Sequence, residues 1–251
     1  MVASIPPAVP PTPSLSEAQV VAATARAHAR GLRVAAHVDS AADALLCARA
    51  GVDLLAHGVE TSALTAADVD TIVASGLAVT PTLVNWRRFD ELTALRFDPT
   101  RSERRTLAPK VIASFDADRL EAHRAVLEES SFEAWAVALT EHRGDRAANV
   151  AALWRAGGPI RVGSDAQGSI GTFPGALHEE LRLLAEAGLP NAEVLVAATR
   201  GNALWLDPAA DYGAVAVGRI ADLVLVDGDP VEDLRHTEDI VQVWVGGVPV
   251  R

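Results

Sequence analysis

The sequence predicts an α/β fold in which parallel strands alternate with helices, followed by a small β subdomain. Short apolar runs and helical segments follow one another in a βαβαβ rhythm, which is typical of parallel strands joined by right-handed crossovers. After Asp207 the pattern changes to short β-runs, and Gly246-Gly247 indicates a tight hairpin turn. We therefore divide the chain into a β/α region at residues 1–206 and a β subdomain at residues 207–251.

Cap and stop residues set the bounds of the first elements. Each of the first three helices has a Ser or Thr as predicted N-cap and a Gly as predicted stop. The N-caps are Ser16, Ser40 and Thr65, and the stops are Gly31, Gly51 and Gly76. Strands are predicted to follow these helices, ending at His37, at His57 and at Thr80, and a fourth is predicted to end at Asp165.

Composition excludes several classes of function. The 251 residues are 49% hydrophobic and carry a formal net charge of −11 with no Lys/Arg cluster, so binding to nucleic acid or to an anionic membrane is not expected. No apolar run approaches the roughly 20 residues of a membrane span. Met1 to Pro13 contains five prolines and lacks a basic n-region, which predicts an extended loop rather than a signal peptide. Cys47 is the only cysteine, so we expect a buried, unpaired thiol in a cytoplasmic protein.

Three of the predicted strands end in a side chain that can bind a metal ion, namely His37, His57 and Asp165. In a (β/α)₈ barrel the carboxyl ends of all strands meet on one face, so ligands far apart in sequence converge there. Two neutral imidazoles and a carboxylate suit a divalent metal, with zinc as the preferred ion. A lone histidine at a strand end is more often structural, and it is the shared position of the three that favours a metal site.

Several short motifs, in their order and spacing, resemble the amidohydrolase superfamily, in particular its imidazolonepropionase-like and peptidase-like branch. The motifs are Val34-Ala35-Ala36-His37, Leu54-Leu55-Ala56-His57-Gly58, Val162-Gly163-Ser164-Asp165-Ala166 and Gly218-Arg219-Ile220-Ala221-Asp222-Leu223-Val224. The resemblance covers the chain from about Leu15 to Arg251. It implies that His37 and His57 are the metal ligands of strands 5 and 6, and that Asp165 is the aspartate of strand 8.

The resemblance also shows a departure from the family pattern. The His-x-His pair of strand 1 has no counterpart, and Lys110, the only lysine, lies downstream of strand 7 instead of on strand 4. We therefore expect a partial (β/α)₈ TIM-type barrel made of strands 5–8, followed by a β-sandwich-like segment. The resemblance thus leads us to expect the C-terminal half of an amidohydrolase.

The implied function is that of a metal-dependent hydrolase of C–N bonds that acts on small amide, cyclic amide or dipeptide-like substrates through metal-activated water. Asp165 is the implied catalytic group, because the strand-8 aspartate takes a proton from water and passes it to the leaving amine. A half-barrel exposes two strand edges, so we expect a homo-oligomer or a complementing N-terminal half.

Two other hypotheses remain open. The chain is alternatively a non-catalytic remnant that serves as an oligomeric scaffold or a small-molecule binder. An unrelated β/α lyase or isomerase with the same strand-end ligands is disfavoured by the segment from Gly218 to Val226. His178, at the start of a helix after Asp165, has two interpretations: it borders a substrate or, as we favour, it only begins the helix.

Overall fold

The computed structural model describes residues 15–116, 118–122, 137, 139–166 and 172–250. The extended loop that the sequence predicts before Pro13 lies outside these residues. Three strands form a parallel sheet in the order of the chain: β1 (Ala35–His37), β2 (Leu54–Ala56) and β3 (Ala78–Thr80). A parallel bridge from Val79 to Ile160 adds the fourth segment beside β3. The predicted α/β class with parallel strands is therefore confirmed.

Helices flank and connect these strands. Before and between the strands lie α1 (Glu17–His28), α2 (Ala41–Ala50) and α3 (Ala66–Ser75). After β3 come α4 (Leu83–Thr93), α5 (Arg101–Thr106), α6 (Pro109–Ile112), a 3-10 turn (Ala113–Phe115) and α7 (Arg143–Arg155). After the fourth segment come a 3-10 turn (Pro174–Ala176), α8 (Leu177–Glu186), α9 (Asn191–Val196), a π-helical turn (Ala197–Gly201) and α10 (Asn202–Leu206). No described helix is both long and apolar enough to cross a membrane.

The predicted N-caps mark where the first three helices begin, and the predicted glycine stops end α2 and α3; α1 ends earlier than predicted, at His28 with Ala29 as its C-cap, before Gly31. Ser16 and Thr65 each form a reciprocal capping box, and the Ser40 hydroxyl accepts a hydrogen bond from the N–H of Asp43. Gly51 and Gly76 follow α2 and α3 with φ of 75°, a left-handed conformation that costs glycine little and other residues more.

The core lies between the parallel sheet and the helices, and it is made mostly of aliphatic side chains. Leu55 of β2, Ile72 of α3 and Leu184 of α8 are almost completely buried. Cys47 of α2 is also fully buried, and burial raises the pKa of its thiol to about 12. The thiol is therefore protonated and acts as a small apolar group, as the sequence predicts.

The β subdomain is a separate antiparallel sheet. Its strands are β4 (Leu223–Val226), β5 (Ile240–Val245) and β6 (Val248–Pro249), paired in that order. A 3-10 helix (Leu234–Glu238) lies on the connection from β4 to β5. The predicted Gly246-Gly247 turn joins β5 to β6, and both glycines have positive φ.

Two amide side chains fasten irregular backbone near the sheet. Asn149 of α7 is buried, and its Nδ2 donates to the carbonyls of Val59 and Ser62 while its Oδ1 accepts from the N–H of Leu64. Asn202 of α10 bonds both the N–H and the C=O of Val162. Each amide therefore replaces the strand neighbour that the backbone at these positions lacks.

We predict that Asn149→Leu lowers the free energy of unfolding by about 2–4 kcal/mol, because it removes the hydrogen-bond partner of the buried Val59 carbonyl and of half-buried backbone groups of Ser62 and Leu64. Thr71→Ala on the exposed face of α3 is the control, with an expected change within about 0.5 kcal/mol. Urea denaturation measures both variants. A loss for Asn149→Leu no larger than that of the control would show that the amide does not fasten the loop after β2.

Candidate functional site

His57 occupies the carboxyl end of β2 in a conformation that its surroundings impose. Its φ is 74°, its side chain is buried, and its N–H donates to the carbonyl of Thr80 at 3.0 Å. The ring Nδ1 lies 2.6 Å from Thr82 Oγ1, and the Thr82 hydroxyl lies 2.7 Å from the Pro81 carbonyl. Because the single hydroxyl proton goes to that carbonyl, Thr82 Oγ1 must accept from Nδ1–H. The tautomer assigned in this way leaves the lone pair of His57 on Nε2.

Asp165 faces that nitrogen from the other side of the site. Its Oδ2 lies 3.9 Å from His57 Nε2 and accepts a hydrogen bond of 3.1 Å from Asn85 Nδ2. The Asp165 side chain is 38% exposed, so solvent reaches this part of the site. The backbone of Asp165 also has positive φ, at 46°.

His37 completes the group at the end of β1. Its ring meets that of His57 edge to face, with the ring centroids 4.6 Å apart. Its Nε2 lies 3.8 Å from Asp39 Oδ1. The structure therefore brings together all three side chains that the sequence singled out. Within the described residues, no three His, Cys, Asp or Glu side chains already surround a common point as a metal site does.

Both imidazoles are neutral near pH 7. Burial is the main cause that lowers the pKa of His57 to about 4, and repulsion between the protonated forms of His57 and His37 acts in the same direction. Burial also lowers the pKa of His37, and Asp165 opposes this effect only in part. Neutral imidazole is the form that binds metal ions.

Backbone strain is concentrated at this site. Four non-glycine residues among those described have positive φ: His57, Thr82, Asp165 and, elsewhere, Leu95. Such conformations cost of order 1–3 kcal/mol each and persist only where the surrounding structure imposes them. Three of the four lie within a few residues of the carboxyl ends of β2, β3 and the fourth segment.

A layer of charged side chains, formed by the buried Arg146 and Glu60 and the partly buried Asp90, lies behind Trp86 and His57. Trp86 packs edge to face on the ring of His57 at 5.6 Å between centroids, and the guanidinium of Arg146 lies 5.6 Å from the Trp86 ring. Arg146 is itself buried between Glu60, with Nε to Oε2 at 3.4 Å, and Asp90, with Nη1 to Oδ2 at 3.1 Å.

Glu60 links this layer to the strand end. Its Oε1 accepts from the N–H of Gly58, the residue after His57, at 3.0 Å. Burial raises the pKa of Glu60 to about 8, although Arg146 and the Gly58 N–H act in the opposite direction.

Glu180 of α8 performs the capping role that Thr82 does not. Thr82 is the N-cap of α4, yet its side chain makes no capping hydrogen bond because its hydroxyl bonds Pro81 and His57. The buried Glu180 accepts from the N–H of Val84 at 2.7 Å. Burial raises the pKa of Glu180 to about 7, while bonds from the backbone of residues 82–84 lower it.

Sequence reasoning missed four residues of this site: Thr82, Asn85, Trp86 and Glu180. A signal for Thr82 was available, because it is a polar residue two positions after the predicted strand end at Thr80; Asn85 follows five positions after that end, in the first turn of α4. His178 has a different environment. Its Nδ1 lies 3.0 Å from Thr237 Oγ1, so it contacts the 3-10 helix of the β subdomain, and the helix-start interpretation is the one that the structure favours.

Comparison with solved structures shows a shared fold. A Xaa-Pro dipeptidase with bound methionine gives a TM-score of 0.70 at 20% identity, over 96% of this chain and 50% of that chain. A candidate prolidase from Bifidobacterium longum gives 0.67 at 28% identity, over 94% and 51%. A prolidase complexed with N-methylphosphonate-L-proline gives 0.68 at 24% identity, over 95% and 50%.

The chain thus spans about half the length of the solved structures that it matches. Comparison with curated protein sequences gives no significant match. The family model of the amidohydrolase family, in contrast, matches residues 2–250, which is nearly the whole sequence. The chain belongs to the amidohydrolase family.

Proposed function

We propose that the chain forms half of the active site of a metal-dependent hydrolase of C–N bonds. The observation that carries this proposal is the convergence of His37 and His57, at the ends of β1 and β2, with Asp165, five residues beyond the bridge at Ile160; His57 Nε2 and Asp165 Oδ2 are 3.9 Å apart. The four parallel segments correspond in this proposal to strands 5–8 of a (β/α)₈ barrel.

The chemistry of these donors fits a divalent ion such as zinc. Two donors that each lie about 2.0–2.2 Å from one ion are at most about 4.4 Å apart, and the separation of His57 Nε2 from Asp165 Oδ2 falls within this limit. Thr82 holds the Nδ1 proton of His57 and so directs Nε2 into the site, which is the usual support for a metal-bound histidine. His37, His57 and Asp165 are the residues that would hold the ion.

Asp165 is the proposed proton carrier of the reaction. A bound divalent ion would supply activation of water and polarisation of the scissile carbonyl. Asp165 accepts the proton of the attacking water and delivers it to the leaving nitrogen, as general base and then general acid. The neutral imidazoles of His37 and His57 add no positive charge that would compete with the ion.

The substrates we propose are small molecules with an amide, cyclic amide or dipeptide-like C–N bond. Two solved structures of the same fold are described as a Xaa-Pro dipeptidase and a prolidase, which favours dipeptides with a C-terminal proline among these. The protein is acidic, with a formal net charge of −11, and nucleic acids are not among the proposed partners.

The proposed partner is a complementing N-terminal half or a second copy of the chain. Strands 1 and 4 would supply the metal ligands that have no counterpart here. Val224 and Leu225 are consecutive in β4 and therefore face opposite sides of their sheet, yet they are 58% and 50% exposed. Exposed apolar side chains on both faces of the sheet favour an interface with the complementing half or with a second copy of the chain.

Metal binding is the first test. We expect about one zinc ion per chain in the purified wild type, measured by elemental mass spectrometry, and a loss of that zinc in His37→Ala and His57→Ala. His142→Ala is the matched control, because His142 bonds Asp145 on α7 and lies outside the site; it should keep the metal. Wild-type metal content no higher than in the two site variants would refute the metal site.

The Thr82 hydroxyl gives a second prediction. Thr82→Val removes the acceptor of His57 Nδ1–H, so the zinc affinity should fall about 10-fold to 100-fold. Thr82→Ser keeps the hydroxyl and should restore the wild-type affinity. Competition with a chromophoric zinc chelator measures both variants, and equal affinities for Val and Ser would contradict the role of the hydroxyl.

Activity is tested with the chain combined with an N-terminal half that supplies strands 1–4, for instance from one of the prolidases. We expect release of proline from Xaa-Pro dipeptides, reduced by about 10²-fold to 10⁴-fold in Asp165→Asn. Binding of metal without hydrolysis of any amide, cyclic amide or dipeptide would instead support the non-catalytic remnant.

A further inference from the structure

We propose that Asn85 is a positioning residue that holds the Asp165 carboxylate in its working orientation, and that Thr172 anchors the Asn85 amide by donating a hydrogen bond to its Oδ1. The inference rests on the proposed function in one respect, that Asp165 carries the proton. The contact itself is a property of the described structure and does not depend on a metal.

The geometry fixes the direction of each hydrogen bond. Asn85 lies in the first turn of α4 and is buried, and its Nδ2 is 3.1 Å from Asp165 Oδ2. A carboxylate only accepts hydrogen bonds, so the amide must turn its NH₂ group toward Asp165. The amide Oδ1 then faces the hydroxyl of Thr172, which donates to it at 3.0 Å. Thr172 is almost completely buried.

Asp165 requires such support. Its backbone is in a left-handed conformation and its side chain is 38% exposed, and the terminal torsion of an aspartate has only broad preferences. Asn85 anchors Oδ2, the same oxygen that faces His57 Nε2. The amide thereby fixes the plane of the carboxylate relative to the imidazole.

The chemical nature of Asn85 also matters. An amide donates and accepts hydrogen bonds, but near neutral pH it neither releases a proton nor becomes protonated. Asn85 therefore orients Asp165 without competing for the transferred proton. A histidine or a carboxylic acid at this position would offer that proton a second destination.

The surroundings of Thr172 show how the contact is kept in place. Phe173, the next residue, packs edge to face on Phe97 and Phe115, which stack on each other at 4.0 Å between centroids. A Cβ at Gly175 would lie 2.6 Å from Ser102 Oγ. The backbone at Gly175 is therefore too close to α5 for a larger residue to fit without a shift. Residues 173–175 are thus packed against α5 and against the aromatic rings of Phe97 and Phe115.

The test has one arm that needs no metal. In the metal-free chain, the side-chain NH₂ signals of Asn85 are followed by ¹⁵N NMR in Asp165→Ala, Thr172→Val and Thr172→Ser. We expect the signals to shift with Asp165→Ala and Thr172→Val and to stay near their wild-type position with Thr172→Ser. The NH₂ signals of Asn191, which donates to the carbonyls of Val231 and Glu232, are the control.

The second arm measures kcat and KM in the complemented enzyme. Asn85→Leu should lower kcat about 10-fold to 100-fold, since small misplacements of a catalytic group have effects of this size, with KM and zinc content near the wild-type values. Thr172→Val should share this effect, and Thr172→Ser should not.

The outcomes separate the two proposals. An inactive wild type would count against the proposed function, while the NMR arm would still decide the contact. The inference would be overturned if the Asn85 NH₂ signals kept their wild-type position in Asp165→Ala. A folded Asn85→Leu variant with the wild-type kcat would also overturn it. Shifted signals together with a selective loss of kcat would establish Asn85 as a positioning residue.

Discussion

The parallel pairing of β1, β2 and β3 is the constraint on which the rest of the structure depends. Ala36 pairs with Leu55, and Leu55 pairs with Val79, so the three strands end at the same level. His37 and His57 each stand at or just beyond such an end, and the bridge from Val79 to Ile160 aligns the segment that leads to Asp165. Without this alignment, side chains separated by more than a hundred residues would not share one site.

The site makes demands on the residues around it, and these demands explain several buried charges. The Thr82 hydroxyl forms hydrogen bonds with His57 and with the Pro81 carbonyl, so it does not cap α4. Glu180 accepts from the N–H of Val84 at the start of that helix instead. A buried carboxylate is costly unless it is hydrogen-bonded, and the N–H groups of a helix start are suitable donors. Glu60 is also buried; its Oε1 accepts a hydrogen bond from the N–H of Gly58, and its Oε2 lies 3.4 Å from Nε of Arg146. Buried polar groups here maintain the conformation of the strand ends.

Local signals in the sequence were sufficient to predict the β/α rhythm, most of the helix caps and the proximity of His37, His57 and Asp165. A Ser or Thr before a helix, or a histidine after an apolar run, acts through neighbours within a few residues. The contacts that orient the site are of another kind. Val84 meets Glu180 across 96 positions, and Asn85 meets Asp165 across 80. No periodicity encodes such pairs, because the fold determines them only once the helices have packed.

Family membership and the convergence of three strand-end side chains together lead to the central claim, a divalent metal held by His37, His57 and Asp165. Anomalous diffraction at the zinc edge, from crystals of the chain grown with zinc, tests this claim most directly. We predict one strong peak about 2.0–2.2 Å from His57 Nε2, within bonding distance of His37 and Asp165. A peak at another group of side chains, or His57 Nε2 bonded to water alone, would contradict it.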